Sequence, residues 1–471
     1  MFNNPKKEIK MPKIRKNTPD PTLQSLLSRR FLTVYFIGIG GSSMSALARL
    51  SLDMGYSVLG SDIAQGENTA VLTALGIPVT VGHNPSALIS ADLAVYTHAI
   101  PDTDPELSFA REKGIVTVTR AEYMGALMLR YSTRIGISGT HGKSTTTALV
   151  ASVLTAAGDR PTALSGAPLT ATDSSYLPGD PRLFVYEACE YRDSYHFFNP
   201  TVAVALNLEL DHPDYFESID DLKSSFVTAL CRATDLAVVN EDDESISSII
   251  PALTVPTVRF GTRHTADYQY LITSFLDPGY RFSVICRGRS LGEFSTPMRG
   301  VFNLSNITAA IAVTAELGVD TDVIRRTVAD FRGISRRLEH IGYYHGRAVF
   351  YDYAHHPTAV AASLNALRES SPDGITLVFR PHTYSRTARF WDDFRAALSL
   401  ADRVILTDIY PAREAPVTGV SSARLAAAIG SRAVYAPLDR VTEYLDRTVG
   451  SIVLMGAGDL ECVKNKIIRQ G

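Results

Sequence analysis

The sequence predicts an α/β protein of three domains, each built on a largely parallel sheet. Three observations carry that reading. The chain has 471 residues, enough for roughly three domains of ordinary size. Short apolar runs alternate with stretches of helical periodicity, the pattern of strand–helix–strand units. Many of those runs end at glycines or at clusters of acids, histidines and arginines. In open parallel sheets ligands gather outside the carboxyl ends of the strands.

Composition narrows the class. A hydrophobic content of 45% is ample for several cores, and a net charge of −3 gives no electrostatic case for wholesale nucleic-acid binding. Cys189, Cys231, Cys286 and Cys462 lie far apart, without a CxxC pair. That fits a reduced cytoplasmic protein rather than a disulfide scaffold or zinc module. No apolar run approaches the length of a membrane span. Residues 1–30 carry Lys6, Lys7, Lys10, Lys13, Arg15 and Lys16 and are broken by Pro5, Pro12, Pro19 and Pro21. They read as a basic disordered tail, and without an apolar stretch before Phe31 they do not read as a signal peptide.

The first domain, residues 31–131, opens with a strand over Thr33–Ile37 and the turn Gly38-Ile-Gly40-Gly41-Ser42-Ser43. A helix follows, with Met44, Leu47, Ala48 and Leu50 on one face. The next strand ends at Gly60-Ser61-Asp62, and Asp62 stands 22 residues beyond Gly40, where such folds often read a ribose. NAD binding and nucleotide-sugar binding both satisfy this pattern. Further strands run through Pro78–Thr80, Leu93–Thr97 and Val116–Val118, with a helix near Pro105–Lys113. His98 follows a strand end, as a ligand contact or as a plain loop histidine.

The second domain, residues 132–335, holds the most informative stretch. Ile135 and Ile137 alternate as in a strand, Gly139-Thr140-His141-Gly142-Lys143-Ser144-Thr145 makes a tight loop, and Leu149, Val150, Val153 and Leu154 recur at helical spacing. A loop that opens a helix points backbone N–H groups and the positive end of the helix dipole at an anion. Lys143 can reach terminal phosphates and the Ser144 hydroxyl can ligate magnesium. The loop is a shortened form, with Ile137 where the usual first glycine stands. Apolar runs over Leu183–Tyr186, Val202–Leu206 and Ala237–Val239 end at Glu187 and Glu190, at Asn207-Leu-Glu209-Leu-Asp211-His212, and at Asn240, Asp242 and Asp243. A strand-end carboxylate is the expected magnesium partner of Ser144, while His212 by itself is a less usual ligand. Between Tyr268 and Pro297 the period becomes two, predicting a small antiparallel insertion. Asn303 then enters a helix, as a cap or as a contact to a base.

The third domain, residues 336–471, starts at Arg336-Arg337. Its strands end at Asp352-Tyr-Ala-His355-His356-Pro357, at Arg380-Pro-His382-Thr-Tyr-Ser-Arg386, at Asp408 and at Gly456-Ala-Gly458-Asp459. The arginine–histidine clusters suit an anionic ligand. Together the residues describe an ATP user with a second phosphate-bearing or nucleotide substrate. An NAD dehydrogenase built on Gly38–Asp62 leaves the lysine loop unexplained, and a non-catalytic nucleotide-binding regulator leaves Lys143, Glu187 and His212 without purpose.

Four segments carry a family resemblance: Phe36-Ile-Gly-Ile-Gly-Gly41, Gly139-Thr-His-Gly-Lys-Ser-Thr145, Asn207-Leu-Glu-Leu-Asp-His212 and Tyr353-Ala-His-His-Pro-Thr358. The chain resembles the Mur ligases, the amino-acid ligases of peptidoglycan synthesis, over roughly residues 31–460. His141 inside the loop and the His-His-Pro segment point to the alanine-adding branch over a paralogue that adds a peptide or another amino acid.

The resemblance implies an N-terminal Rossmann-like sheet for a UDP-sugar and a central P-loop ATPase-type domain. It further implies a C-terminal Rossmann-like domain for the amino acid. The substrates would be UDP-N-acetylmuramate and L-alanine, with ATP and Mg2+, in a cytoplasmic monomer or weak homodimer without nucleic-acid or membrane partners. Residue by residue, Lys143 would hold the β- and γ-phosphates, Ser144 and Glu187 a first magnesium, and His212 a second. Asn303 would contact adenine, and Arg337 and Asp352 the ATP phosphates and ribose. His356, His382 and Arg386 would orient the sugar-nucleotide carboxylate and the amino acid. Gly38, Gly40, Gly41, Ser42 and Asp62 would surround the UDP moiety. The chain departs from the family pattern at Ser43, Thr97-His98, Phe302, Ala359 and Arg380, none of which is given a chemical role.

Overall fold

The computed structural model describes residues 20–169, 174–212, 215–412, 414–446, 448, 450–457 and 460–470. The basic run of the expected tail, and Gly458-Asp459, lie outside them. The last part of the tail reading is corrected, because Pro21–Leu27 is a helix. Asp20 accepts from the Thr22 N–H at 2.8 Å, and Pro21 stands in the first turn, where its missing N–H costs nothing. Leu23, Leu26 and Leu27 are buried on one face, and the Tyr56 hydroxyl (2.8 Å) and the Arg130 guanidinium donate to the Leu27 carbonyl.

The chain divides into two compact units: Met1–Leu208, Ile219–Tyr268 and Ala309–Ile324 form one, and Glu209–Ser218, Gln269–Thr308 and Arg325–Gly471 the other. The first unit carries two sheets. One comprises β1 (Thr33–Ile37), β2 (Ser57–Asp62), β3 (Val79–Val81), β4 (Leu93–Tyr96) and β5 (Val116–Thr119). It is parallel throughout, in the order β3-β2-β1-β4-β5. Val34, Tyr35, Phe36 and Ile37 are all buried, as a strand covered on both faces requires. The strand order reverses at β1, so the turn Gly38–Gly41 opens into the crevice where such sheets take ligands.

The other sheet of this unit uses β6 (Thr133–Ser138), β7 (Thr162–Leu169), β8 (Ser174–Leu177), β9 (Leu183–Glu187), β10 (Val202–Ala205), β11 (Leu236–Asn240) and β12 (Thr257–Gly261). Their order is β12-β11-β10-β6-β9-β7-β8, parallel except for the β7–β8 pair. Again the order reverses at the strand that feeds the loop. Register sets Ile137 beside Glu187, so the β9 carboxylate stands next to the root of the loop.

Within this unit the helix Arg120–Leu127 packs closely against the segment that ends at Phe197. A Cβ on Gly125 would lie 2.2 Å from the Phe197 carbonyl oxygen, a backbone atom that cannot swing away. Gly125→Ala is therefore expected to lower stability by about 1–3 kcal/mol, read from the urea midpoint. Gly66→Ala, where a Cβ meets nothing within 4 Å, should cost less, since only the N-cap preference of its helix is lost.

The second unit contains the predicted antiparallel insertion: β13 (Tyr268–Leu276, from Gln269 onward), β14 (Gly279–Cys286) and β15 (Arg289–Thr296). Phe282 faces Phe294 across the β14–β15 pair. Its other sheet comprises β16 (Glu339–Tyr344), β17 (Arg347–Asp352), β18 (Ile375–Phe379), β19 (Arg403–Leu406), β20 (Ala433–Tyr435) and β21 (Ser451–Met455), in the order β16-β17-β21-β18-β19-β20. Only the β16–β17 pair is antiparallel. Phe350, Leu377, Phe379, Leu406 and Val453 fill its core.

Candidate active site

In the first unit the lysine loop is fixed before any ligand arrives. Gly139 (φ 143°) and Gly142 (φ 85°) take conformations that side chains resist. A Cβ on Gly139 would also lie 3.0 Å from the Leu206 Cβ. Asn207, just past β10, clamps the loop from both sides. Its Oδ1 accepts from the His141 N–H at 2.7 Å and its Nδ2 donates to the His141 carbonyl at 3.0 Å. The helix Lys143–Ala156 follows directly, and the first N–H groups of any helix have no acceptor within it.

Lys143 is spoken for. Its ammonium donates to both Glu190 oxygens at 3.1 Å, to the Thr140 carbonyl at 3.3 Å and to the Gly139 carbonyl. Burial works against the charge, but Glu190, with Cys189 and Glu187, outweighs it and holds the lysine pKa above its ordinary value. Glu190 is itself buried. Sequence reasoning placed Glu190 at a strand end but gave it no role.

Glu187 is held by one oxygen. Its Oε1 accepts from the Ser165 hydroxyl at 2.9 Å and from the Gly166 N–H. Its Oε2 takes no hydrogen bond from another described residue. Ser144 is buried, and its hydroxyl likewise bonds no other described residue. A carboxylate oxygen and a hydroxyl left in this state on one loop edge suit a hard divalent cation.

The glycine-rich turn is shaped by Asp62. Its Oδ2 accepts from the Gly40 N–H at 2.8 Å and its Oδ1 from the Ala64 N–H at 3.2 Å, while Asn68 donates to the Gly40 carbonyl at 2.8 Å. A Cβ on Gly40 would lie 2.8 Å from Asp62 Oδ2. Gly38 has φ 78°, and Gly41 is the N-cap of the helix Ser42–Asp53. Asp62 thus fixes the turn in this structure. His98 lies on the same carboxyl edge of the sheet, its pKa lowered by burial and then by Arg192 and Arg120.

The remaining candidates belong to the second unit. Their hub is Asp211, to which no role was given from sequence. Arg386 donates to Asp211 Oδ1 at 2.6 Å and to the Nδ1 of His382 at 3.0 Å. The His212 N–H donates to the same Asp211 oxygen at 2.7 Å. Asp211 and Arg386 are 7% and 6% exposed, so this is a buried ion pair. Burial would raise the Asp211 carboxyl, but Arg386 and then His212 hold it well below the usual carboxylate range. Because Arg386 donates to Nδ1, the neutral His382 ring carries its proton on Nε2 and can donate there. His382 also stacks on Tyr410 and meets the edge of His355.

His356 is buried against Phe390 with its Nδ1 3.6 Å from a Glu209 oxygen. Asp352 is buried and its pKa is raised by burial, against the pull of Arg337. It accepts from the Ala354 N–H and the Ser363 hydroxyl, each at 2.8 Å. Arg337 and Arg336 both lie over the Tyr353 ring. Asn303 is buried in the first turn of the helix Phe302–Glu316, where it donates to the Arg299 carbonyl at 2.8 Å and accepts from Asn306 at 3.2 Å.

Burial and Arg386 push His382 down to about 4, and burial and Arg386 also take His355 well below its ordinary value. The unfolded chain therefore binds protons on these rings below about pH 6.5 while the folded chain does not. Stability should fall as pH drops from about 6.5 to about 4. Urea midpoints across that window check it, and His382→Gln should flatten part of the slope.

Comparison with known proteins covers almost the whole chain. The family profiles "Mur ligase family, catalytic domain", "Mur ligase middle domain" and "Mur ligase, glutamate ligase domain" match residues 33–132, 137–314 and 336–464. A UDP-N-acetylmuramate–L-alanine ligase of Caldanaerobacter subterraneus subsp. tengcongensis is 38% identical over 451 residues, 94% of this chain and 98% of the relative. That of Aquifex aeolicus is 36% identical over 92% of this chain and 97% of its own. The crystal structure of a UDP-N-acetylmuramate-alanine ligase from Thermotoga maritima superposes with a TM-score of 0.79 at 28% identity, covering 93% of this chain and 99% of that one.

Proposed function

Because this chain belongs to the Mur ligase family, we propose that it joins L-alanine to the lactyl carboxylate of UDP-N-acetylmuramate. ATP drives the reaction, which supplies a precursor of peptidoglycan in the cytoplasm. The extent of the similarity carries this reading, since a relative of that activity matches 94% of the chain. Residues 31–131 would bind the sugar nucleotide, 132–335 ATP, and 336–471 the amino acid.

The chemistry follows from what a carboxylate lacks. Its oxide is a poor leaving group, so the lactyl oxygen first takes the γ-phosphoryl group and ADP departs. The alanine amine then attacks the acyl carbon, and phosphate leaves from the tetrahedral intermediate. Little covalent work falls to the protein; it positions groups and neutralises charge. Lys143 and the N–H groups of the first turn of the helix Lys143–Ala156 cradle the β- and γ-phosphates. Ser144 and Glu187 would hold one magnesium and His212 a second. Bound magnesium would reduce the repulsion between γ-phosphate and carboxylate. Asn303 serves adenine, and Arg337 and Asp352 the phosphates and ribose. His356, His382 and Arg386 orient the carboxylate and the amino acid, the neutral His382 donating from Nε2. Gly38, Gly40, Gly41 and Ser42 receive the UDP diphosphate on a turn that Asp62 shapes.

The test is ADP release with UDP-N-acetylmuramate and single amino acids, or a preformed tripeptide. Turnover with alanine is expected. Turnover with the tripeptide and none with alanine would instead assign the paralogous peptide-adding activity.

A further inference from the structure

Glu187 stands out because its two oxygens are treated so differently. The Ser165 hydroxyl has a single hydrogen, and the structure commits it. Ser165 Oγ accepts from the Ala167 N–H at 3.3 Å, and its own hydrogen goes to Glu187 Oε1 at 2.9 Å. The Gly166 N–H reaches the same oxygen. Two donors from one strand, β7, therefore fix the rotation of the carboxylate and leave Oε2 without a hydrogen bond from another described residue. Gly166 lets the strand approach closely, because a Cβ there would sit 3.2 Å from Oε2 and 3.3 Å from Oε1 and would press the carboxylate aside. Ser165 is buried, so the hydroxyl that anchors Oε1 is shielded from water.

The same short segment also touches the glycine-rich turn. Ser42, at the first position of its helix, donates to the Gly166 carbonyl at 3.3 Å and shares a hydrogen bond with Ser175 on β8 at 2.9 Å. Gly166 therefore meets the carboxylate with its N–H and the sugar-nucleotide turn with its carbonyl.

We propose that Ser165 and Gly166 are a positioning element that aims Glu187 Oε2 at a divalent cation and ties that aim to the occupancy of the Ser42 turn. The proposal rests on the ATP- and metal-dependent reading above. Groups that hold a ligating carboxylate from behind typically contribute about 10–100-fold to metal affinity. Coupling between the two sites must also be reciprocal.

The probe is Mn2+ bound to the full-length protein with a non-hydrolysable ATP analogue, followed by electron paramagnetic resonance, with and without UDP-N-acetylmuramate. Ser165→Ala should weaken Mn2+ binding by about tenfold and leave sugar-nucleotide affinity unchanged when no metal is present. It should also shrink the tightening of Mn2+ that the sugar nucleotide causes in the parent protein. Ser165→Thr, which keeps the hydroxyl, should restore most of the affinity, with thermal melts confirming that both variants are folded. Suppose the parent protein binds Mn2+ and ligates alanine. Mn2+ affinity unchanged in Ser165→Ala, or lost equally in both variants, then overturns this proposal alone. A parent protein that binds the ATP analogue but no Mn2+ removes the metal reading itself, and the positioning element with it.

Discussion

Replacing Lys143 with alanine should abolish alanine ligation, by about a thousandfold or more, without changing the affinity for UDP-N-acetylmuramate. The ammonium is the one strong cation rooted in the loop, and transfer of a phosphoryl group relies on charge neutralisation rather than on covalent help. Glu190 complicates the experiment, because both of its oxygens accept from Lys143 and it is buried. Removing the lysine takes that cation away, which lowers stability for a reason unrelated to catalysis. The double variant Lys143→Ala/Glu190→Gln removes the stranded charge. It should recover stability and remain inactive. Calorimetry with the sugar nucleotide and a coupled ADP assay separate the two effects, and undiminished turnover in either variant would refute the role given to Lys143.

The second large effect concerns Arg386. Its guanidinium joins Asp211 to His382, and both ends of the ion pair are almost fully covered. Truncating one member of a buried pair commonly costs about 3–5 kcal/mol, because the other charge stays buried. Arg386→Ala should therefore lower the urea midpoint strongly and abolish ligation. In Arg386→Ala/Asp211→Asn the stability loss should be smaller than in Arg386→Ala, while activity stays absent. Equal stability losses in the two variants would show that Asp211 is not the charge left behind. The prediction separates holding the site together from acting in it, which activity measurements by themselves cannot do.

These residues also mark how far the sequence could be read. The turns at Gly38–Gly41 and Gly139–Gly142 were legible because left-handed backbone and close approach restrict the residue choice locally. Glu187, His212, Asp352, His356 and His382 were legible as polar residues where apolar runs stop. Partners were not. Arg386 and Asp211 are 175 positions apart, and Glu190 is 47 from Lys143, so tertiary packing rather than local spacing brings each pair together. Ser165 and Gly166 lay hidden in Thr162–Leu169, a strand whose serine, glycine and proline break any apolar run. The helix Pro21–Leu27 was overlooked because lysines and prolines nearby dominated the composition, although Leu23, Leu26 and Leu27 already had helical spacing.

The engagement of Lys143 with Glu190 and its own loop carbonyls has a consequence for which anions can enter. A newcomer does not meet a bare cation; it must outcompete a carboxylate already in place. On the role proposed for Lys143, chloride or inorganic phosphate should compete poorly in that exchange. A nucleotide triphosphate brings several phosphate oxygens at once, and a metal ion with it can compensate the carboxylate it displaces. The pocket would therefore filter by total charge delivered, and ligation should tolerate abundant small anions until they are present in large excess.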